Sequence, residues 1–247
     1  MAKVCYLAAV VAVVTSSGCQ KEPQSAQRGP QSTAKTDAPK EIRVESLEIT
    51  VDGVAIHCLT AGPADGLPVV LLHGARFSAD TWRELGTLEV LAKAGHRAIA
   101  VDLPGYGRSP KARVDPAAWL GTLLDKLSPH KCVVVSPSMS GRFSLPLATG
   151  DPQKLAGFVP IAPVGIPDYR DRLARITVPT LIVWGQNDKV VPLDLADLLA
   201  EKIPDAKKLI LPGARHPCYL DAPDAFHKTL LDFLGGLSGS TRPRPPS

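Results

Sequence analysis

Cysteine is scarce in this sequence, and the five that occur in 247 residues do not pair off. Cys5 and Cys19 fall in an apolar leader, which leaves Cys58, Cys132 and Cys218, an odd number. That argues against a disulfide framework. No cysteine or histidine spacing suits zinc, so neither a metal nor another cofactor is expected. Charge of one sign is also lacking: 28 Lys and Arg stand against 24 Asp and Glu, a net charge of +4, with part of the excess in the two tails. Without a basic stripe, nucleic-acid binding is not expected. The apolar run at residues 4–14 falls well short of the ~20 residues that a membrane-spanning helix needs.

That run has another reading. Met1-Ala2-Lys3, the apolar stretch and Ser16-Ser17-Gly18-Cys19 together form a secretory signal over residues 1–19. Gly18-Cys19 resembles the cleavage site of a bacterial lipoprotein, with Ser16 where a leucine is usual. A lipidated Cys19 would tether the chain to a membrane surface, facing the periplasm or cell exterior. Residues 20–41, rich in Gln, Ser, Pro, Lys and Thr, are expected to form a flexible tether, and residues 238–247 a disordered tail.

Between them, residues 42–237 make one domain, long enough to bury a sizeable core. Asp52-Gly53 between two alternating runs is a hairpin signal, because both turn positions tolerate positive φ. Further strands are expected near Val69, Ala98, Cys132, Phe158, Leu181 and Leu209, with amphipathic helices between most of them, for instance over residues 82–94. This alternation predicts an α/β fold: an eight-stranded, mostly parallel sheet with helices on both faces. Parallel neighbours need long crossovers, so the antiparallel edge belongs to the opening hairpin. Only residues 164–177 separate the strand near Phe158 from the next. The lid there is minimal, at most one helix, which suits small acyl groups better than long lipid chains.

The chemistry sits at strand ends. Ser136-Pro137-Ser138-Met139-Ser140-Gly141 directly follows the buried run Cys132-Val133-Val134-Val135. A nucleophilic serine on a sharp strand-to-helix turn requires small residues two positions before and after it. Only Ser138 has both, since Val134 and Arg142 disqualify Ser136 and Ser140. Serines stand where glycines are usual. A hydroxyl also needs a general base, oriented by a carboxylate. Asp188 follows the strand 179–185 and His216 the strand 207–211, giving the order Ser, Asp, His. Ser138, Asp188 and His216 are therefore the candidate catalytic triad.

Other histidines have ordinary explanations. His57 lies in the hairpin, His96 and His130 precede strands, and His227 lies in a terminal helix; all four are taken as structural or solvated. His73-Gly74 ends a strand and opens a loop suited to an oxyanion hole, whose backbone donors are assigned to Ala75 and Met139. Asp102 precedes Ser138 in the chain and is read as a loop-fixing residue. Arg76 and Arg142 flank the site in sequence and are candidate contacts for an anionic substrate. Cys132 is taken as a buried apolar residue, while Cys218, two positions after the base, leaves a thiol role to be tested.

The motifs His73-Gly74, Asp102-Leu103-Pro104-Gly105-Tyr106-Gly107-Arg108-Ser109, the serine-rich elbow, Asp188 and His216 resemble the α/β-hydrolase superfamily. His73-Gly74-Ala75-Arg76-Phe77-Ser78, the elbow and Gly213-Ala214-Arg215-His216-Pro217-Cys218-Tyr219-Leu220-Asp221 further resemble the α/β-hydrolase domain-containing protein 14 group over residues 42–237. This resemblance implies a serine hydrolase acting on small acyl esters, thioesters or amides, with transfer to an acceptor other than water left open. A non-catalytic binding module on the same fold is the alternative, because fold does not fix function. A third reading keeps the triad for lyase or cofactor-free haloperoxidase chemistry.

Overall fold

Alternate residues of each central strand face opposite sides of one sheet, and both sides are apolar. Val70, Ile99, Val134 and Ile182 face one cluster; Val69, Ala98, Val133 and Leu181 face the other. A sheet patterned this way must be covered by helices on both faces. The computed structural model describes residues 42–240, with side chains through Leu237. The strands are β1 (Glu45–Val51), β2 (Val54–Ala61), β3 (Pro68–Leu71), β4 (Arg97–Val101), β5 (Cys132–Pro137), β6 (Leu155–Ile161), β7 (Thr180–Gly185) and β8 (Ala206–Leu211). Their spatial order is β1-β2-β4-β3-β5-β6-β7-β8, and only β2 pairs antiparallel with its neighbours.

The helices are α1 (Ala79–Glu84), α2 (Thr87–Lys93), α3 (Pro116–Leu127), α4 (Gly141–Gly150), α5 (Asp194–Lys202), α6 (Cys218–Asp221) and α7 (Pro223–Ser240). On one face Trp119 and Leu120 of α3, Phe143 of α4 and Leu199 of α5 are buried; on the other, Trp82, Leu88, Leu91 and Phe226 are buried. The eight strands and the Asp52-Gly53 turn agree with the sequence, and both turn residues take positive φ, 50° and 79°.

Two expectations are corrected. The helix expected over residues 82–94 is two helices, because Gly86 adopts φ 74° between them and ends the first. Helix α7 runs on to Ser240, so residues 238–240 are helical where a disordered tail was expected. Their Ser-Gly-Ser composition hides one more turn carried beyond Leu237. The expected signal at 1–19, the tether up to residue 41 and the rest of the tail lie outside the described residues, so export and lipid attachment stay expectations of the sequence. Among the described residues no helix is long and apolar enough to cross a membrane.

Candidate active site

Ser138, Asp188 and His216 meet beyond the carboxyl ends of β5, β7 and β8. Ser138 has φ 50°, a left-handed backbone that a non-glycine residue adopts only when its surroundings enforce it. The chain must turn sharply here because β5 passes almost directly into α4. Gly141 starts that helix against the Pro163–Val164 backbone, and a Cβ at this glycine would lie 2.5 Å from the Val164 carbonyl oxygen. The Val164 amide donates to the carbonyl of Ser138 at 2.9 Å. Together these contacts set the Ser138 side chain on the turn.

Asp188 is oriented by its own loop. Its Oδ1 accepts from the amides of Val190 at 2.8 Å and Val191 at 2.9 Å. Oδ2 is thereby left for His216, whose Nδ1–H donates to it at 2.7 Å. His216 Nε2 then accepts from the Ser138 hydroxyl at 2.9 Å. The Asp188 side chain is fully enclosed, while that of His216 keeps 12% exposure.

Backbone pairing holds the Asp188 and His216 loops in register. The Gln186 amide donates to the Leu211 carbonyl and that of Asn187 to Ala214, and the Gln186 side chain accepts from the Gly213 amide. A Cβ on Gly185 would strike the Ala214 and Arg215 carbonyls at 2.5 and 2.6 Å. Only glycine lets the two loops close up.

The loop expected to carry an oxyanion donor is anchored on both sides of Ala75. Trp82 Nε1 donates to the Leu72 carbonyl at 2.8 Å, and the Ala79 amide donates to Asp102 Oδ1 at 2.7 Å. His73 Nδ1–H donates to the Gly74 carbonyl, while its Nε2 accepts from the Leu103 amide. Between these anchors the Ala75 amide has no acceptor among the described residues. Gly74 lies against Ser138: a Cβ there would come within 3.6 Å of Ser138 Cβ. Met139 follows Ser138 and is half-buried.

Both nitrogens of His73 are therefore committed to the neutral ring, and burial lowers its pKa below that of free imidazole. A second proton would face the Leu103 amide. The unfolded chain binds that proton more readily than the folded one, so the stability concerned is present above pH ~6.5 and lost as pH falls below it. An NMR titration should show His73 titrating below free imidazole; a midpoint at or above that of free imidazole would contradict this.

A second Ser-His-Asp chain was not anticipated. Ser46 Oγ lies 2.9 Å from His57 Nε2, and His57 Nδ1 lies 2.8 Å from Asp102 Oδ2. Distances alone do not separate it from the first. Its setting does: Ser46 sits on a regular strand, and Arg108 Nη1 donates to His57 Nε2 at 3.1 Å, taking the lone pair that a general base needs. Asp102 also accepts from the Ala79 and Arg108 amides, so it fixes loops as expected.

Arg76 and Arg142 are both exposed and form no ion pair among the described residues. His57, His96 and His227 are buried, and His227 Nε2 meets the Thr87 hydroxyl at 2.8 Å. Burial pushes the Cys132 and Cys218 thiols up to about 12, which keeps both protonated and ends the case for a Cys218 thiolate. The lid is one 3-10 segment, Ile166–Arg175, packed on α4 and α5, with Arg172 stacked 4.6 Å over the Tyr169 ring. A cavity of about 620 Å³ is lined by Leu155, Thr180 and Phe233, at the amino ends of the strands. It lies at the other edge of the sheet from the triad. Among the described residues no cluster of His, Cys, Asp or Glu could hold a metal.

Comparison with known proteins agrees with this architecture. The family model for the alpha/beta hydrolase fold matches residues 68–169 and 166–223. ABHD14B of Homo sapiens, whose protein name provisionally assigns it protein-lysine deacylation, is 42% identical over 200 residues, covering 76% of this chain and 94% of its own. Protein ABHD14A of Danio rerio is 44% identical over 184 residues, 69% of this chain and 65% of its own. Among solved structures, one described as a CIB-like hydrolase from Thermoplasma acidophilum superimposes with a TM-score of 0.74 at 24% identity, over 78% of this chain and 99% of that one. The chain belongs to the α/β-hydrolase family and, within it, to the ABHD14 group.

Proposed function

We propose that this hydrolase uses Ser138 as a nucleophile on small acyl esters, thioesters or amides and passes through an acyl-enzyme. The unbroken chain from Asp188 through His216 to Ser138 carries the reading. Asp188 accepts a hydrogen bond from Nδ1–H, so Nε2 is the free base that takes the hydroxyl proton as Ser138 Oγ attacks the carbonyl carbon. The carbonyl π pair moves to oxygen, where the Ala75 and Met139 amides receive the oxyanion. Collapse expels the alcohol, thiol or amine, which takes the proton from His216. Water or another acceptor, deprotonated by the same imidazole, then releases the acyl group.

The name of ABHD14B makes acyl-lysine amides the first natural substrates to try. The minimal lid and the lone Ala75 amide support a small acyl group held close to the backbone. Quenching a reaction with an activated acetyl ester and mapping the protein by mass spectrometry tests the covalent step. An acetyl group on the Ser138 peptide is expected, and turnover without any such species would remove the acyl-enzyme.

Arg76 and Arg142, uncompensated cations next to the oxyanion loop and on the first turn of α4, are proposed as contacts for an anionic donor or acceptor. Replacing both with alanine should lower kcat/KM for an anionic ester by about tenfold relative to its neutral analogue, since two exposed charge interactions are each modest. An unchanged ratio would withdraw both residues from the site.

A further inference from the structure

The serines that replace glycine in the elbow form a connected chain behind the nucleophile. Ser140 Oγ donates to the Pro137 carbonyl at 2.8 Å. Ser136 Oγ lies 3.0 Å from Ser140 Oγ and 2.7 Å from Ser144 Oγ. All three side chains are enclosed, at 0 to 1% exposure. Each hydroxyl has one hydrogen, and Ser140 has spent its own on Pro137. Ser136 donates to Ser144, and Ser140 donates to the Pro137 carbonyl.

That carbonyl is mechanically important. The dihedrals of Ser138 are the relative orientation of two peptide planes, one containing the Pro137 carbonyl and the other the Ser138 carbonyl. The second plane is held by the Val164 amide. The first is held by Ser140 Oγ. Between them they fix a residue whose φ of 50° is unfavourable in an unrestrained chain. Conformation does not require glycine at the outer positions, since Ser140 has φ −66° and Ser136 is not among the positive-φ residues. A serine at position 140 therefore adds a donor without adding strain.

We infer that Ser140, through its hydrogen bond to the Pro137 carbonyl, is a positioning residue that holds the Ser138 peptide in its attacking conformation. The inference rests on Ser138 being the nucleophile. It assigns the serine-rich elbow a purpose that a glycine elbow would leave to the backbone alone.

Ser140→Gly tests it, because glycine fits the turn and takes away the hydroxyl together with its methylene. Inactivation by a fluorophosphonate and kcat for an acetyl ester should each fall by about tenfold, the worth of one buried hydrogen bond expressed wholly in the reacting geometry. KM should be unchanged, measured well below the unfolding temperature. Ser144→Ala, which removes only the acceptor of Ser136, should leave both rates within about twofold of wild type. A Ser140→Gly protein that is inactivated at the wild-type rate would overturn the inference. Should that variant not fold, Ser140→Ala decides: slower inactivation with KM kept supports the positioning role, and the wild-type rate refutes it. Wild-type protein unlabelled at Ser138 would instead count against the proposed nucleophile.

Discussion

Ser138→Ala is expected to lower kcat by about a million-fold towards any acyl substrate, leaving the residual rate that binding and oxyanion donors supply. The size follows from the geometry. Ser138 Oγ stands 2.9 Å from His216 Nε2, in place to give up its proton. Triad members act as a unit, so His216→Ala should cost about as much, and the double variant little more. Steady-state kinetics on a chromogenic short-chain ester checks this. Ser46→Ala is the essential control, because Ser46 shares the same distance to a histidine. It should retain wild-type turnover within about twofold, as expected of an exposed strand residue. A large loss there would transfer the chemistry to the wrong chain.

Gly107→Ala should destabilise the protein by about 3–5 kcal/mol, the range for disrupting a buried, hydrogen-bonded charge. Two effects combine at this glycine. Its φ of 53° disfavours any side chain, and a Cβ would run into the carboxylate of Asp102. Asp102 cannot swing away freely: at 2% exposure it accepts from the Ala79 amide, the Arg108 amide and His57 Nδ1. Turning the carboxylate strands those donors, and lifting the loop exposes them. For a domain of this size the loss should lower the unfolding temperature by about 10 °C. Activity should fall as well, since Ala79 anchors the far side of the oxyanion loop. Gly53→Ala separates the two causes. Gly53 has φ 79° with nothing within 4 Å of the added Cβ, so only the ~1–2 kcal/mol conformational cost applies. Equal losses at both glycines would show that the Asp102 contact contributes nothing.

Strand-end chemistry was legible because each functional residue follows an apolar run that can only be a buried strand. Ser138, Asp188 and His216 lie far apart in the chain, yet the parallel sheet brings all three runs out on one edge. The order in which β3 and β4 sit beside β2 was not legible, since apolar runs carry no label for their neighbour. The same blindness hid the chain from Ser46 through His57 to Asp102, which forms only when β1, β2 and β4 lie side by side. Gly86 looked tolerable inside a helix until packing of both halves set its φ positive. Ser144 gave no signal, since its contact with Ser136 depends on facing back along α4 towards β5.

An activated serine at the end of β5 distinguishes a hydrolase from a binding module on the same fold. Exposing the wild-type and Ser138→Ala proteins to a fluorophosphonate probe and mapping adducts by mass spectrometry tests it most directly. A single adduct on Ser138, absent from the variant and slowed in His216→Ala, is the expected result. No adduct on well-folded wild-type protein, or an adduct that persists in Ser138→Ala on another serine, would contradict the account.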